Sequence, residues 1–333
     1  MKKILALILA LVMALSLVAC AQKAPTEGGE SAEPITISLC HSYTDMDQVT
    51  IELQAACDAI KERTNGAVVI NQYPNNTFGS MSDGIEALMA DSPLMLVTSF
   101  GQWKDTYFDG GALQCGFVWE KGEEFLEFMG TDMFQRISSE MDAVGIHPLK
   151  CALVGGMRHV IGQKAYTTPE EIKGLKIRVP NSDTYLDCFN AMGASPMGLD
   201  AGQQMAALSA GTVDALDQSI SLMYSTKSYE VVKHVSLIGQ QPLADALFCS
   251  SKWWATVPAE YQSIIDEELY AAAQRYNQYC VDNEGAMRAE MEAAGVEFHE
   301  VDRDAFKALA GDLVLKYSIG QELLDTLAEM RAK

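Results

Sequence analysis

The sequence predicts an α/β fold built on a mainly parallel sheet. Strand-like and helix-like segments alternate from about residue 35 to residue 154, and a second alternating unit begins near Gly155. After Pro258 a single helical pattern continues to about Ala294, which is long enough to lie across two domains. Alternation of this kind is typical of α/β domains, and 333 residues suffice for one to three of them.

The first unit contains four predicted strands and three predicted helices. Apolar runs predict strands at Ile35–Leu39, Val68–Tyr73, Leu94–Thr98 and Ile146–Val154. Helical spacing predicts one helix that ends at Asn65-Gly66, a second that runs from a capping box at Ser80 and Asp83 to Met89, and a third over Glu123–Ala143.

The second unit begins with a single helical turn, for which Thr168, Pro169 and Glu171 supply the cap, the first-turn proline and the capping carboxylate. The elements predicted after it are a strand at Leu175–Val179, helices at about 183–192 and 200–209, a strand at Val213–Leu216, the long helix, a strand at Val296–Phe298 and helical sequence after Asp304.

The net charge argues against two classes of partner. The chain has 24 Lys and Arg residues against 45 Asp and Glu residues, which gives a formal charge of −21 at pH 7. Nothing in it resembles the basic stripe of a nucleic-acid-binding protein, and an acidic chain is poorly suited to lying on anionic lipid through a peripheral helix. We therefore expect no nucleic-acid partner.

The N-terminus has the layout of an export signal. Two lysines precede an apolar run, Ile4 to Val18, which is too short and too weakly flanked to predict a membrane span. It ends Leu17-Val18-Ala19-Cys20, which resembles the lipobox of bacterial lipoprotein precursors. The resemblance implies a signal peptide at 1–19, lipidation of Cys20 and a flexible tether up to residue 33. The alternative is an ordinary secretory signal that happens to contain a cysteine.

The remaining cysteines predict buried free thiols. They are odd in number and widely spaced, and no Cys-x-x-Cys occurs, so neither a disulfide scaffold nor a zinc or redox motif is indicated. Whether any of them pair stays open. The seven residues are Cys40, Cys57, Cys115, Cys151, Cys188, Cys249 and Cys280.

Positive signs of catalysis are missing from the sequence. Gly193 to Met197 (GASPM) lacks the last glycine of Gly-x-Ser-x-Gly, and neither a Walker loop nor Gly-x-Gly-x-x-Gly is present. The five histidines are scattered, without a His-Glu-x-x-His pair. We therefore expect no enzyme, no cofactor and no metal site.

Polar residues beside predicted strand ends are the candidate site. Arg158 follows Gly155-Gly156-Met157 after one strand, Arg178 lies on another, and Asp217-Gln218-Ser219 follows a third. Ligands of open α/β sheets bind beyond the carboxyl ends of strands, so these groups can converge on one small molecule. An arginine cannot shed its charge, so a poorly solvated one needs an anion. That anion is either a ligand or, as the alternative, an acid of the protein itself.

At these residues the sequence resembles the solute-binding proteins of tripartite ATP-independent periplasmic (TRAP) transporters, the DctP-like family. The resemblance extends from about Ile35 to the end of the chain. It is carried in order by IKERTNGAVVINQYPNNTFGS (60–80), the whole of Gly155–Asp200 with its GLKIRVP, ALSAGTVDALDQSIS (207–221), YEVVKHVSLIG (229–239) and VPAEYQ (257–262).

The family implies two α/β domains of the type II periplasmic-binding-protein kind, joined by hinge strands and spanned by a long helix. We expect domain I at 34–155 plus about 244–283, and domain II at 156–243 plus about 284–333. The family also implies capture of an organic acid in the cleft between the domains and delivery to a TRAP membrane permease. The resemblance further implies that Arg178 pairs with the ligand carboxylate, that Arg158 faces the cleft and that Gln218 hydrogen-bonds the ligand.

Several positions depart from the family pattern and leave the ligand open. Asp217, Gln218 and Ser219 stand where Glu, Asn and Pro are usual, and Gln203 stands where Glu is common. Phe100, Trp103 and Tyr185 are candidates for a bulky-acid pocket, with core or rim packing as the alternative. The remaining candidate ligand contacts are His41, Ser99, Asn181 and Gln241.

The function expected from the sequence is that of an extracytoplasmic solute-binding lipoprotein, anchored to the outer face of the cell membrane or periplasmic. Two alternatives remain open: a binding protein of another importer or a sensor, and a secreted hydrolase using a carboxylate or Ser195.

Overall fold

The structure is a computed structural model and describes residues 33–332. The predicted signal peptide, Cys20 and most of the predicted tether lie outside the described residues. The strands are β1 (Ile35–Cys40), β2 (Val68–Tyr73), β3 (Leu94–Thr98), β4 (Ile146–Gly162), β5 (Lys176–Val179), β6 (Ser195–Gly198), β7 (Ala215–Ser219), β8 (His234–Ser236), β9 (Pro242–Ser250) and β10 (Glu297–His299).

The α-helices are α1 (Gln48–Arg63), α2 (Met81–Met89), α3 (Glu123–Phe128), α4 (Asp132–Ala143), α5 (Pro169–Ile172), α6 (Asp183–Ala191), α7 (Gln204–Ser209), α8 (Ile220–Ser225), α9 (Ser251–Trp254), α10 (Ala259–Ala293), α11 (Arg303–Ala310) and α12 (Gly320–Arg331). None of the helices within residues 33–332 combines the length and apolar character needed to cross a bilayer.

Local sequence signals place most of these elements. The capping boxes predicted at Ser80 and at Thr168 are both formed, at the starts of α2 and α5. The helix predicted over Glu123–Ala143 is two helices instead, separated at Met129–Thr131. The Thr131 side chain accepts a hydrogen bond from Phe134 N and so begins α4 as a new helix.

The sheet is parallel in its outer parts and antiparallel at its centre. Eight strands follow the order β2-β1-β3-β9-β4-β7-β5-β6, while β8 pairs with β4 and β10 with β8. The pairs β1–β2, β1–β3, β5–β6, β5–β7 and β8–β10 are parallel, as the alternation predicts. Every pair made by β4 or β9 is antiparallel. Strands β6, β8 and β9 are not among the predicted strands.

Strand β4 does not end at Val154, as predicted, but continues to Gly162. Its pairing with β9 shifts register between Val154 and Met157, where Gly156 has a φ of +84°. The side chain of Asn277 satisfies the backbone next to this bulge: its Oδ1 accepts from Val154 N at 2.8 Å and its Nδ2 donates to Ala152 O at 3.0 Å. The glycines that suggested a strand end are therefore a bulge within one long strand.

The long helix α10 connects two of the four clusters of buried side chains that pack on the sheet. Ile265 and Leu269, in its first half, pack with Leu39 and Leu53. Met287 and Met291, in its last turns, belong to a different cluster on the far part of the sheet. The predicted long helix is confirmed. It packs against both of these clusters, and strands β4 and β9 also run between the two parts of the sheet. The exact boundaries of the two domains stay a prediction.

Candidate functional site

A cleft of about 720 Å³ lies where the two parts of the sheet meet. Its walls come from the loop after β1, the end of β3, the segments after β5 and β6, and the middle of β9. Five of the predicted site residues line it, and they are Ser99, Arg158, Arg178, Asn181 and Tyr185. The fold therefore brings together residues from positions 99 to 185 of the chain.

Arg178 lies on β5 between Ile177 and Val179, which are both fully buried, and its own side chain is only 4% exposed. Its Nε and NH2 groups donate to the carbonyl of Leu199 at 3.0 and 2.6 Å, and NH1 donates to Gln204 Oε1 at 3.3 Å. All three contacts are to neutral oxygens. No carboxylate of the described residues forms an ion pair with this guanidinium.

The electrostatics of Arg178 follow from this placement. Burial is the largest influence and lowers the pKa of Arg178 to about 10, with repulsion from Arg158 adding to the effect. Asp217 and Asp200 oppose the shift through longer-range attraction. Arg178 therefore carries a charge that the protein only partly compensates, on the wall of a cleft.

Arg158 is also buried, at 2% exposure, but it has an internal partner. Its Nε donates to Asp217 Oδ2 at 2.9 Å, and its NH2 donates to the Asp217 backbone carbonyl at 2.6 Å. Gln240 Nε2 donates to the other carboxylate oxygen. Burial lowers the pKa of Arg158, but the Asp217 carboxylate outweighs it and the net pKa is raised. For Arg158 the second alternative from the sequence therefore applies: an acid of the protein itself, Asp217, neutralises the arginine.

The polar residues near these arginines lie within strands and not after strand ends. Asp217, Gln218 and Ser219 are the last three residues of β7, all fully buried, and Arg158 is opposite Ser219 across the β4–β7 pair. The predicted position after a strand end is wrong because β4 and β7 extend further than their apolar runs. Antiparallel pairing, not converging strand ends, brings Arg158 to Asp217.

Gln218 is not among the residues that line the cleft. Its Nε2 donates to Gln204 Oε1 at 3.1 Å and to Thr226 Oγ1 at 3.2 Å, and its Oε1 accepts from Ser228 Oγ at 2.6 Å. The same Gln204 oxygen accepts from Arg178. Gln218 therefore holds Gln204, and through it Arg178, and its own contact with a ligand stays a prediction.

Tyr185 lies against Arg158 within the cleft. The guanidinium carbon is 5.1 Å from the centre of the ring, and Gln114 Nε2 donates to the hydroxyl at 3.1 Å. Burial raises the pKa of Tyr185 to about 12, so the hydroxyl stays protonated at neutral pH. Of the three candidate aromatic residues, Tyr185 alone lines the cleft.

Four other predicted site residues lie away from the cleft wall. Phe100 and Trp103 belong to the apolar cluster around Phe248, which matches their packing alternative. His41 is buried, with its Nε2 3.1 Å from Gln72 Oε1, and it borders a separate small cavity. Gln241 is fully buried, and its backbone carbonyl accepts from Arg158 N at 2.8 Å.

Ser99 and Asn181 mark the two sides of the cleft. Ser99 follows β3 and Asn181 follows β5. Gln102 Nε2 reaches across and donates to the Asn181 backbone carbonyl at 3.1 Å. Close by, Lys104 Nζ is 2.6 Å from Asp183 Oδ2. Side chains from the segment after β3 therefore already contact the segment after β5 at the rim of the cleft.

Asp245 and Tyr43, which are not among the predicted site residues, also line the cleft. The Tyr43 hydroxyl donates to Asp245 Oδ2 at 2.8 Å. Burial raises the pKa of Asp245, while Tyr43 and Arg158 oppose that shift. A signal was present: Asp245 is the one charged residue in the apolar run of β9, PLADALFCS. The carbonyl of Leu199 offers no such signal, because it belongs to the backbone.

Comparison with known proteins agrees with this geometry. The sequence profile of the family described as "Bacterial extracellular solute-binding protein, family 7" (DctP) matches residues 39–319. The C4-dicarboxylate-binding periplasmic protein DctP of Rhodobacter capsulatus is 26% identical over 81% of each chain.

Two solved structures of TRAP periplasmic solute-binding proteins have the same fold. The protein from Desulfovibrio salexigens, in complex with diglycerolphosphate, superposes with a TM-score of 0.86 at 29% identity and covers 90% of this chain and 98% of its own. The protein from Ochrobacterium anthropi, with bound L-fuconate, superposes with a TM-score of 0.82 at 26% identity, covering 88% and 99%. The fold is the two-domain α/β fold of type II periplasmic binding proteins. This chain belongs to family 7 of the bacterial extracellular solute-binding proteins, the DctP family.

Proposed function

We propose that the cleft captures a small organic acid outside the cytoplasm, and that Arg178 holds its carboxylate. The observation that carries this proposal is a guanidinium, 4% exposed, that lines the cleft and has only neutral hydrogen-bond partners. A ligand carboxylate would supply the missing negative charge through charge-assisted hydrogen bonds, for which a planar guanidinium is well suited.

The charges of the cleft favour a ligand with one negative charge and several hydroxyl groups. Two guanidiniums face three carboxylates among the lining residues, and Asp217 already neutralises Arg158. A second anionic group on the ligand would meet Asp245, Asp200 or Asp47, whereas a hydroxyl group can donate to them. The ligand class we propose is therefore a hydroxylated monocarboxylate, as in the L-fuconate complex of the Ochrobacterium anthropi protein.

We further propose that the protein delivers this acid to a TRAP membrane permease, as the chain's family suggests. The predicted domains, 34–155 plus about 244–283 and 156–243 plus about 284–333, would close on the ligand. The crossing of β4 and β9 between the two parts of the sheet supports a hinge there. Anchoring through Cys20 remains a proposal from the sequence.

A thermal-shift screen of the purified chain tests the ligand class. The panel contains L-fuconate, L-galactonate and D-glucuronate as hydroxylated monocarboxylates, succinate as a dicarboxylate, and sn-glycerol 3-phosphate as a phosphate ester. We expect a monocarboxylate to raise the melting temperature most, because a ligand that binds only the native state stabilises it by mass action. A larger shift with succinate or glycerol phosphate would contradict the charge argument.

The Asp245→Asn variant is the matched test of that argument. It removes the negative charge and keeps the size of the side chain and the hydrogen bond from Tyr43. We expect succinate and glycerol phosphate to bind this variant more tightly than they bind the wild-type chain. Unchanged relative affinities would show that Asp245 does not select the ligand.

Recovery of the added acid in chemically altered form would favour the hydrolase alternative.

A further inference from the structure

We propose that His234, Glu297 and His299 form a binding site for a divalent transition-metal ion such as Zn²⁺, separate from the cleft. The atoms these side chains can offer as ligands all lie within 4.8 Å of one another. Within residues 33–332 this is the one group of three or more His, Cys, Asp or Glu side chains with that arrangement.

The pairing of two strands creates the cluster. Strand β10 runs parallel to β8 with Glu297 opposite His234 and His299 opposite Ser236. Side chains alternate between the faces of a strand, so Glu297 and His299 lie on the same face as His234. The residues are 65 positions apart in the chain, and the register alone brings them together.

The distances are close to those of a ligand sphere. His234 Nδ1 is 3.1 Å from His299 Nε2, and a carboxylate oxygen of Glu297 is 3.7 and 3.8 Å from these two nitrogens. Two nitrogens bound to a tetrahedral Zn²⁺ at its usual bond length are about 3.3 Å apart. The imidazole pair is thus at the required spacing, and the carboxylate has to approach by a few tenths of an ångström.

The exposure of the cluster suits an ion that binds from solution. The imidazole side chains are 29% and 24% exposed, so they are held in place but reachable, while Glu297 is 67% exposed and free to adjust. Three protein ligands leave one tetrahedral position for water. The alternative is a metal-free hydrogen bond in which one imidazole donates to the other, and it requires no ion.

A metal ion here would fasten β10, which directly follows α10, to β8. It would fix the end of the long helix to its neighbouring strands, and binding would stabilise the folded chain by mass action. The seven cysteines of the described residues are buried, so their thiols do not compete for the ion in the native state.

Calorimetric titration of the chelator-treated full chain with ZnCl₂ tests the site. We expect one ion per chain, with affinity lowered at least tenfold in His234→Ala and in His299→Ala. His147→Ala is the matched control, because His147 is also partly exposed and contacts a carboxylate, Asp142, at 2.8 Å. It should bind as the wild type does. All variants keep Cys20, so that thiol cannot cause a difference.

Two further measurements keep the result interpretable. The melting temperature without metal shows whether each variant is folded, and Glu297→Gln, at an exposed position, provides a third variant that should also bind more weakly. Co²⁺ should give the intense visible absorption of a four-coordinate site in the wild type and not in His299→Ala. The proposal is wrong if the wild type binds no Zn²⁺. It is also wrong if His234→Ala and His299→Ala bind Zn²⁺ as tightly as the wild type, because the histidine pair is then only hydrogen-bonded.

Discussion

Replacing Arg178 by methionine separates ligand binding from stability. If the guanidinium serves the ligand, the empty protein holds an incompletely neutralised cation at a cost, and an apolar side chain of similar length removes that cost. If it served the fold instead, the same change would destabilise the protein. The two interpretations therefore predict opposite signs for the change in the free energy of unfolding.

The magnitude follows from the surroundings of the side chain. A pKa lowered to about 10 corresponds to roughly 3 kcal/mol against the charged form. The variant also loses the bonds to the Leu199 carbonyl and to Gln204, and unsatisfied acceptors of this kind cost about 1–3 kcal/mol. We therefore expect Arg178→Met to be as stable as the wild type without ligand, or more stable by up to about 2 kcal/mol. Binding of the acid should weaken by about 2–5 kcal/mol, or roughly 30-fold to several thousand-fold.

Urea unfolding without ligand and calorimetry with the best acid of the panel measure both quantities. Arg158→Met is the matched control, because it leaves Asp217 buried without its cation and should cost about 3–5 kcal/mol of stability. A loss of stability in Arg178→Met, with ligand affinity retained, would refute the assignment of Arg178 to the ligand.

Three further changes test other parts of the structure. Asn277→Leu leaves the backbone at the β4 bulge without its two hydrogen bonds and should lower the free energy of unfolding by about 2–4 kcal/mol in urea titrations. Gln218→Leu removes a support of Gln204 and should weaken acid binding about tenfold by calorimetry with Arg178 intact; unchanged affinity would exclude the indirect role. Burial lowers the pKa of His159 from 6.5 to about 4, so the unfolded state binds more protons between these values and stability falls as pH drops through this range. His159→Gln should lose less stability than the wild type between pH 7 and pH 4.5 in urea titrations, and equal losses would contradict this origin.

Much of the fold could be predicted because its signals are local. Strands β2 and β3 have the predicted ends, and the capping boxes at Ser80 and Thr168 need only residues three positions apart. The length of β4 and the existence of β9 could not be predicted in this way. Gly155 and Gly156 have the composition of a turn, and only pairing with a strand about 90 residues later makes them part of a bulged strand.

The sequence predicts the charged residues of the candidate site, but it does not predict which residues they bond to. Arg178 can be proposed from the sequence because an arginine within an apolar strand needs an anion. The partner of Arg158 depended on the β4–β7 pairing, which the sequence does not display. The contact of Gln218 with a ligand is implied by resemblance alone, and the bonds of its side chain to Thr226 and Ser228 are not visible in the sequence. Asp245 is not predicted from the sequence, because the apolar residues around it dominate the pattern of its segment.

The most direct test is a crystal structure of the chain with the acid that binds best in the screen. We expect the ligand carboxylate within hydrogen-bond distance of the Arg178 guanidinium, with Arg158 still paired to Asp217 and the hydroxyl groups of the ligand toward Asp245. A carboxylate bound elsewhere in the cleft, with Arg178 contacting only Leu199 and Gln204 as it does now, would contradict it.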